Sequence, residues 1–362
     1  MSALLLHEFH QNLGARFVSV SEMEAVGDYG DLLGEHAALT QGVGVLDLSF
    51  RSRACLTGND RVRFLHGQVT NDINKLVAGS GCYAVLVTSK ARMQSDLNVY
   101  RLAEELLLDF EPGLTQKVSE RLEKYVISED VQITDVGALY GLLSVQGPKA
   151  TAVLQSTLPE FCAVPSVPFS FVTATSAEGE IYLMNRPRFG SGGYDLLVPV
   201  TLLPVFAGRF VEGARSAGGR LCGWDAAEIA RIENGIPRFG ADMDETNIPL
   251  EAGLENSAVS FNKGCYIGQE VISRIRTYSE VAKVLRGLRL ADDLKTLPPR
   301  GEKLYRDGKE AGYVTSAIRS PRLSASIGLG YVRKETNQVG AELALRTLEG
   351  ESLVRVVETP FV

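Results

Sequence analysis

The densest chemistry in this chain lies in eight consecutive residues, Lys263-Gly264-Cys265-Tyr266-Ile267-Gly268-Gln269-Glu270. Glycines on both sides of a thiol let the backbone take positive φ and bring its N–H groups close to a partner that a Cβ would push away. A cation two residues from a thiol favours the thiolate where the two side chains converge. Those features describe a reactive site. The same residues also describe a tight turn around a buried cysteine, a small core hydrophobe, with Lys263 and Glu270 merely solvated. Spacing alone leaves both readings open.

The other thiols narrow the setting. The five cysteines, at 55, 82, 162, 222 and 265, are scattered and form no Cys-x-x-Cys pair. That pattern fits a reducing compartment and argues against a disulfide framework or a structural zinc site. Four ligands for a permanent iron–sulfur cluster would have to come from remote parts of the chain, so no resident metal is expected.

A net charge of −7 over 362 residues argues against a broad nucleic-acid surface and against direct nucleic-acid binding. One local excess stands out. Between residues 263 and 289 six bases, Lys263, Arg274, Arg276, Lys283, Arg286 and Arg289, face two acids, Glu270 and Glu280. This stretch reads either as an anion-facing patch or as a solvated strand pair with alternating arginines. The first twenty residues resemble neither a secretory signal nor a transit peptide, and no run reaches the roughly 20 apolar residues of a membrane span. The expectation is a cytoplasmic protein with no membrane partner.

The elements that must position these residues follow from length and periodicity. A chain of 362 residues with 45% hydrophobic and 22% charged content is ordinary globular material, long enough for two or three domains. Alternation predicts a strand over 51–57, and Asn59-Asp60 cap a short helix at 62–66. Further strands are expected at 82–87, 96–102 and 106–110, followed by an amphipathic helix carrying Leu114, Val118, Leu122, Tyr125 and Val126 on one face. Strands at 138–145, 181–184 and 194–198 lead to helices at 202–217 and, capped by Asp225, at 226–234. Beyond Val284 come about six short strands, with Asp307-Gly308 as a hairpin turn, which predicts a small barrel or sandwich. No long linker separates these parts, so a ligand cleft between packed domains is the default expectation.

The run Lys-Gly-Cys-Tyr-x-Gly-Gln-Glu resembles the signature of the YgfZ folate-binding family, relatives of the glycine-cleavage T-protein (aminomethyltransferase) and of a mitochondrial iron–sulfur assembly factor. The resemblance extends through Thr70-Asn71-Asp72, Gln146-Gly147-Pro148, Gly193-Tyr194-Asp195 with Pro199, Asp244-Glu245, and Gly312 to Ser316 through Ser320-Pro321. It implies an α+β, three-domain T-protein-like clover-leaf around a channel for tetrahydrofolate or a one-carbon derivative. The implied domains are a discontinuous first domain (1–50 and 138–275), an inserted α+β domain (51–137) and a C-terminal β-barrel (276–362).

Carried over position by position, the folate residues implied by the resemblance are Tyr83, the Ser95-Asp96 pair, Tyr100, Ser191 and Arg231. The residue types suit the ligand. A pterin offers flat faces for aromatic rings and a donor-rich edge for a carboxylate, and an arginine suits the glutamate tail. Plainer roles exist: half-buried strand tyrosines, and Arg231 paired with Glu228 on its own helix. Two positions depart from the T-protein pattern, since a glutamate is Ser191 here and one of two paired aspartates is Ser95. Lost carboxylates weaken a transferase, because positioned acid–base help is worth about 10²- to 10⁴-fold.

Two functions are therefore expected to compete. In the first, the chain is a tetrahydrofolate-binding accessory for iron–sulfur cluster assembly or repair, and through it tRNA modification. Cys265 would be its working residue, with Lys263, Gly264, Tyr266, Gly268, Gln269 and Glu270 shaping the surroundings, and iron–sulfur client or assembly proteins as partners. The alternative is a folate-dependent aminomethyltransferase or demethylase, with Asp96 as the key acid and Cys265 incidental.

Overall fold

The four residues Gly44–Asp47 are buried along their whole length, as in a strand inside a sheet. They pair antiparallel with Tyr140–Gln146, Gly44 opposite Gln146 and Asp47 opposite Leu143, nearly a hundred residues downstream. In this computed structural model, which describes residues 2–278, 280–347 and 350–362, those strands lie inside a six-stranded sheet. Its order is Phe171–Ser176, Gly179–Asn185, Gly193–Pro199, Tyr140–Gln146, Gly44–Asp47, Arg220–Leu221. Helices Ala150–Thr157 and Leu203–Ser216 turn Val153, Leu154, Phe206 and Phe210 onto it.

The chain between these strands builds a five-stranded sheet in the order Ser80–Val87, Met93–Arg101, Leu106–Phe110, Ser52–Thr57, Gln132–Asp135. The helix expected from Leu114 onward forms over Thr115–Glu123 and buries Val118 and Leu122. The C-terminal strands close into a six-stranded barrel around Leu288, Leu304, Val314, Val332, Leu345, Val354 and Val356. Its expected hairpin turn is present: Asp307 and Gly308 both take positive φ, 51° and 75°, as a two-residue hairpin loop requires.

The chain divides into two compact units. The first comprises residues 1–66, 72–83 and 97–230; the second comprises 67–71, 84–96 and 231–362. Among the described residues no helix is long and apolar enough to cross a membrane.

One element goes unannounced and two local expectations fail, for physical reasons. Strands Arg16–Val20 and Met23–Asp28 form a hairpin that the weak alternation of the opening segment does not announce. Asp225 is no cap, because the helix begins one residue earlier, Trp224–Glu233, and the carboxylate sits in its first turn. The basic stretch is not a strand pair. Its first part is the helix Gln269–Tyr278 and only Lys283–Leu290 is strand. The period-four spacing of Ile272 and Arg276 was masked there by interleaved charges.

Candidate functional site

In the second unit the Lys263–Glu270 segment is a built turn. Lys263 is buried, and its Nζ donates to the carbonyls of Val69 (2.7 Å) and Asn71 (2.8 Å) while lying 4.8 Å from the Tyr266 ring centroid. The signature is thereby tied to the Thr70-Asn71 block, whose Thr70 hydroxyl donates to Ala258 O (2.6 Å) and accepts from Val85 N (2.9 Å). Lysine serves here as a strut between backbone segments rather than as a solvated charge.

Tyr266 is the turn's apolar anchor, packed with Ala91, Ile248, Val259 and Ile272, and burial pushes its phenol up to about 12. Gly268 takes φ +85°, and a Cβ on it would fall 2.6 Å from Thr88 O. No other residue fits without moving backbone. Helix Gln269–Tyr278 starts at once, with Glu270 in its first turn, where the helix dipole favours an acid. Between these fixed points Cys265 is exposed. The reading of a buried cysteine with a solvated Lys263 is thereby corrected: the segment is a turn whose lysine is buried and whose thiol faces solvent.

Four of the downstream bases have partners of their own. Arg276 stacks 3.8 Å over Phe261, Lys283 donates to Tyr313 Oη (2.8 Å), Arg286 to Asn337 O (3.2 Å), and Arg289 pairs with Asp292.

The implied folate residues fall in both units. In the second, Ser95 is buried with its hydroxyl on Asp96 O (3.0 Å), and Asp96 is half-buried. Arg231 is buried in an ion pair, Nη1 to Asp242 Oδ2 at 2.7 Å, with Nη2 on Ser316 Oγ at 3.1 Å. Asp242 Oδ1 in turn accepts from Thr315 (2.6 Å) and Ser316 (2.7 Å), so Asp242 meets the charge of this arginine within its own unit.

In the first unit Tyr83 is half-buried, and Tyr100 is buried with its ring 6.1 Å from both Phe169 and Phe171. The Tyr100 hydroxyl is buried without a hydrogen-bond partner among the described residues, and burial, eased by the charge of Arg186, pushes its pKa up. Ser191 is half-buried, 3.5 Å from Leu39 O.

Around Tyr100 runs a buried ion network that sequence reading missed. Asp109 accepts from Arg51 Nε (2.8 Å), Asn98 Nδ2 (2.8 Å) and Arg188 Nη2 (3.2 Å). Arg188 also grips Asp195 through Nε and Nη2, the latter at 2.6 Å. Asp195 accepts from Ser144 (2.7 Å), and Gln146 donates to Ser144 (2.8 Å) and to Arg186 O (3.0 Å). The register Asp195 opposite Ser144 and Gly193 opposite Gln146 brings the Gln146-Gly147-Pro148 and Gly193-Tyr194-Asp195 blocks together. Burial alone would raise the Asp109 carboxyl, but Arg51 and Arg188 override it and hold it well below the usual carboxylate range. A signal existed in Arg186-Pro187-Arg188, two cations just before the Gly190-Ser191-Gly192-Gly193 loop.

Among the described residues no three His, Cys, Asp or Glu side chains converge as a metal-ligand set. Comparisons with known proteins agree with the fold. Residues 6–263 match the GCVT N-terminal domain, and 283–362 match the glycine cleavage T-protein C-terminal barrel domain. An aminomethyltransferase of Halalkalibacterium halodurans is 28% identical over 358 residues, 98% of this chain and 96% of that protein. A putative chloroplastic transferase of Arabidopsis thaliana is 30% identical, covering 98% of this chain and 80% of that protein. The crystal structure of the glycine cleavage system aminomethyltransferase T from Bartonella henselae superposes with a TM-score of 0.90 at 23% identity, over 100% of this chain and 98% of that one. With both domain matches spanning nearly its whole length, this chain belongs to the glycine cleavage T-protein family.

Proposed function

We propose that this chain binds tetrahydrofolate or a one-carbon derivative and acts through Cys265 as a YgfZ-type accessory in iron–sulfur cluster assembly or repair, and through it in tRNA modification. Tetrahydrofolate is the one-carbon acceptor of the T-protein family. The observation that carries the proposal is the Lys263–Glu270 turn. A buried lysine strut, a buried tyrosine and a glycine that no other residue can replace all serve to hold one exposed thiol. Such support is excessive for a thiol with no task. The cluster is cargo belonging to client proteins, and the cytoplasm is the proposed compartment. Domain limits at 50/51, 137/138 and 275/276 belong to the same proposal.

The test is complementation of a strain lacking the homologous protein. Cys265→Ser should fail to restore cluster-dependent activity while the purified variant keeps its affinity for tetrahydrofolate. Restoration at the wild-type level would sink the proposal.

A second reading, folate-dependent aminomethyl transfer or demethylation, has the more direct support of the relatives, which are named aminomethyltransferases and align over nearly the full chain. Asp96 would be its acid. Serines at positions 95 and 191, where the T-protein pattern has carboxylates, weigh against it. Purified protein given tetrahydrofolate and an aminomethylated lipoyl carrier should form methylenetetrahydrofolate under this reading; turnover no higher than background excludes it.

A further inference from the structure

Four arginines lie in or beside the interior of the first unit, and they differ in how their charge is met. Arg51 is neutralised by Asp109 and Glu111, and Arg188 by Asp195 and Asp109. Arg53 has no carboxylate and its Nε and Nη1 lack partners among the described residues, but it is wholly enclosed, out of reach of a ligand, with Nη2 on the carbonyls of Ser49, Gly137 and Tyr140. Arg186 is different. It is only partly buried, it pairs with no carboxylate among the described residues, and its one side-chain hydrogen bond runs from Nη1 to Pro187 O (3.1 Å).

The rest of the Arg186 guanidinium is oriented and unused. Its plane is held against Phe169, with Cζ 4.8 Å from the ring centroid. Nε is buried with no hydrogen-bond partner among the described residues, and Nη2 has none either. These two atoms form the edge with which a guanidinium takes both oxygens of a carboxylate. Tyr100, packed on the same Phe169 at 6.1 Å, carries a second buried donor without a partner. Buried donors cost free energy unless an acceptor meets them. Burial first, and the like charge of Arg188 second, lower the pKa of Arg186, so an anion arriving here would relieve an existing penalty.

We propose that the Nε–Nη2 edge of Arg186, with the Tyr100 hydroxyl, is a carboxylate-binding subsite of the first unit, which takes the glutamyl carboxylate of the ligand. The resemblance assigned that task to Arg231, whose donors are committed to Asp242, Ser316 and Ile236 O. The identity of the carboxylate rests on the folate reading; the subsite itself does not.

The experiment is anaerobic calorimetric titration of the full chain with tetrahydrofolate and with 6-methyltetrahydropterin, which keeps the ring and lacks every carboxylate. Wild type should prefer tetrahydrofolate. Arg186→Gln should erase that preference by about tenfold or more, leaving 6-methyltetrahydropterin within about twofold, and Arg186→Lys should restore part of it. An unchanged preference in Arg186→Gln overturns the proposal. So does an equal loss for both ligands in the glutamine and lysine variants, which would mark a stacking clasp on Phe169 only. If wild type binds neither pterin, the folate reading fails, and titration with triglutamate alone then decides. Binding that Arg186→Gln abolishes upholds the subsite, and absence of binding overturns it.

Discussion

The thiol turn of the second unit and the ion network of the first are built on opposite plans. In the turn, eight consecutive residues present one exposed thiol, and the segment is held by backbone acceptors at Val69 and Asn71 and by the apolar packing of Tyr266. In the network, Arg51, Asn98, Asp109, Ser144, Arg188 and Asp195 come from four strands and two loops, and every charge points inward. The turn should tolerate loss of its central residue, because the thiol is exposed and no hydrogen bond to it is seen among the described residues. The network should tolerate no such loss, since Asp109 and Asp195 neutralise the nearly buried Arg51 and Arg188. Under the proposed function, the contrast separates positions of function from positions of stability.

The strongest challenge to that division is Asp109→Ala. Removing one partner of a buried pair leaves an uncompensated charge and should cost about 3–5 kcal/mol, read by chemical denaturation. The network also sets a pH dependence. Because the folded Asp109 carboxyl is held below its unfolded value of about 3.9, its contribution is present above that pH and is lost as the pH falls below it. Stability of the wild type should decline into acid, and Asp109→Asn should flatten that decline; an identical acid profile would show that the network is not the sensor.

Lys263→Met should come next. It removes two charge-assisted hydrogen bonds to carbonyls and leaves those acceptors buried, a loss of about 2–3 kcal/mol in the same measurement. Gly268→Ala should follow at about 1–2 kcal/mol for the left-handed backbone alone, more if Thr88 fails to yield, with hydrogen exchange rising first at Tyr266 to Ile272. Cys265→Ser closes the series. An exposed residue without structural partners should shift stability by no more than about 0.5 kcal/mol while abolishing complementation. A melt as severe as that of Lys263→Met would make the thiol structural and erase the distinction between the two regions.

What could be read in advance depended on sequence distance. The barrel was legible because its strands are local, and the Asp307-Gly308 turn states its geometry in two residues. The thiol turn was legible as a motif, yet the role of Lys263 was not, since its acceptors lie 194 and 192 residues away. Arg231 matched its motif and has its donors occupied by Asp242, which the motif does not include. The helix Gln269–Tyr278 was hidden because its alternating charges imitate a strand.

By itself, the sequence determined most element types, the T-protein relationship and the contiguous residues around Cys265, because all of these depend on side chains a few positions apart. Tertiary structure alone decided that Gly44–Asp47 completes a sheet with Tyr140–Gln146, which local periodicity has no means to express. It also decided which arginines are neutralised and which is left with an open edge. Charge balance in a protein interior depends on neighbours in space, and the residues that settle it for Arg186 and Arg188 come from strands that no local pattern connects.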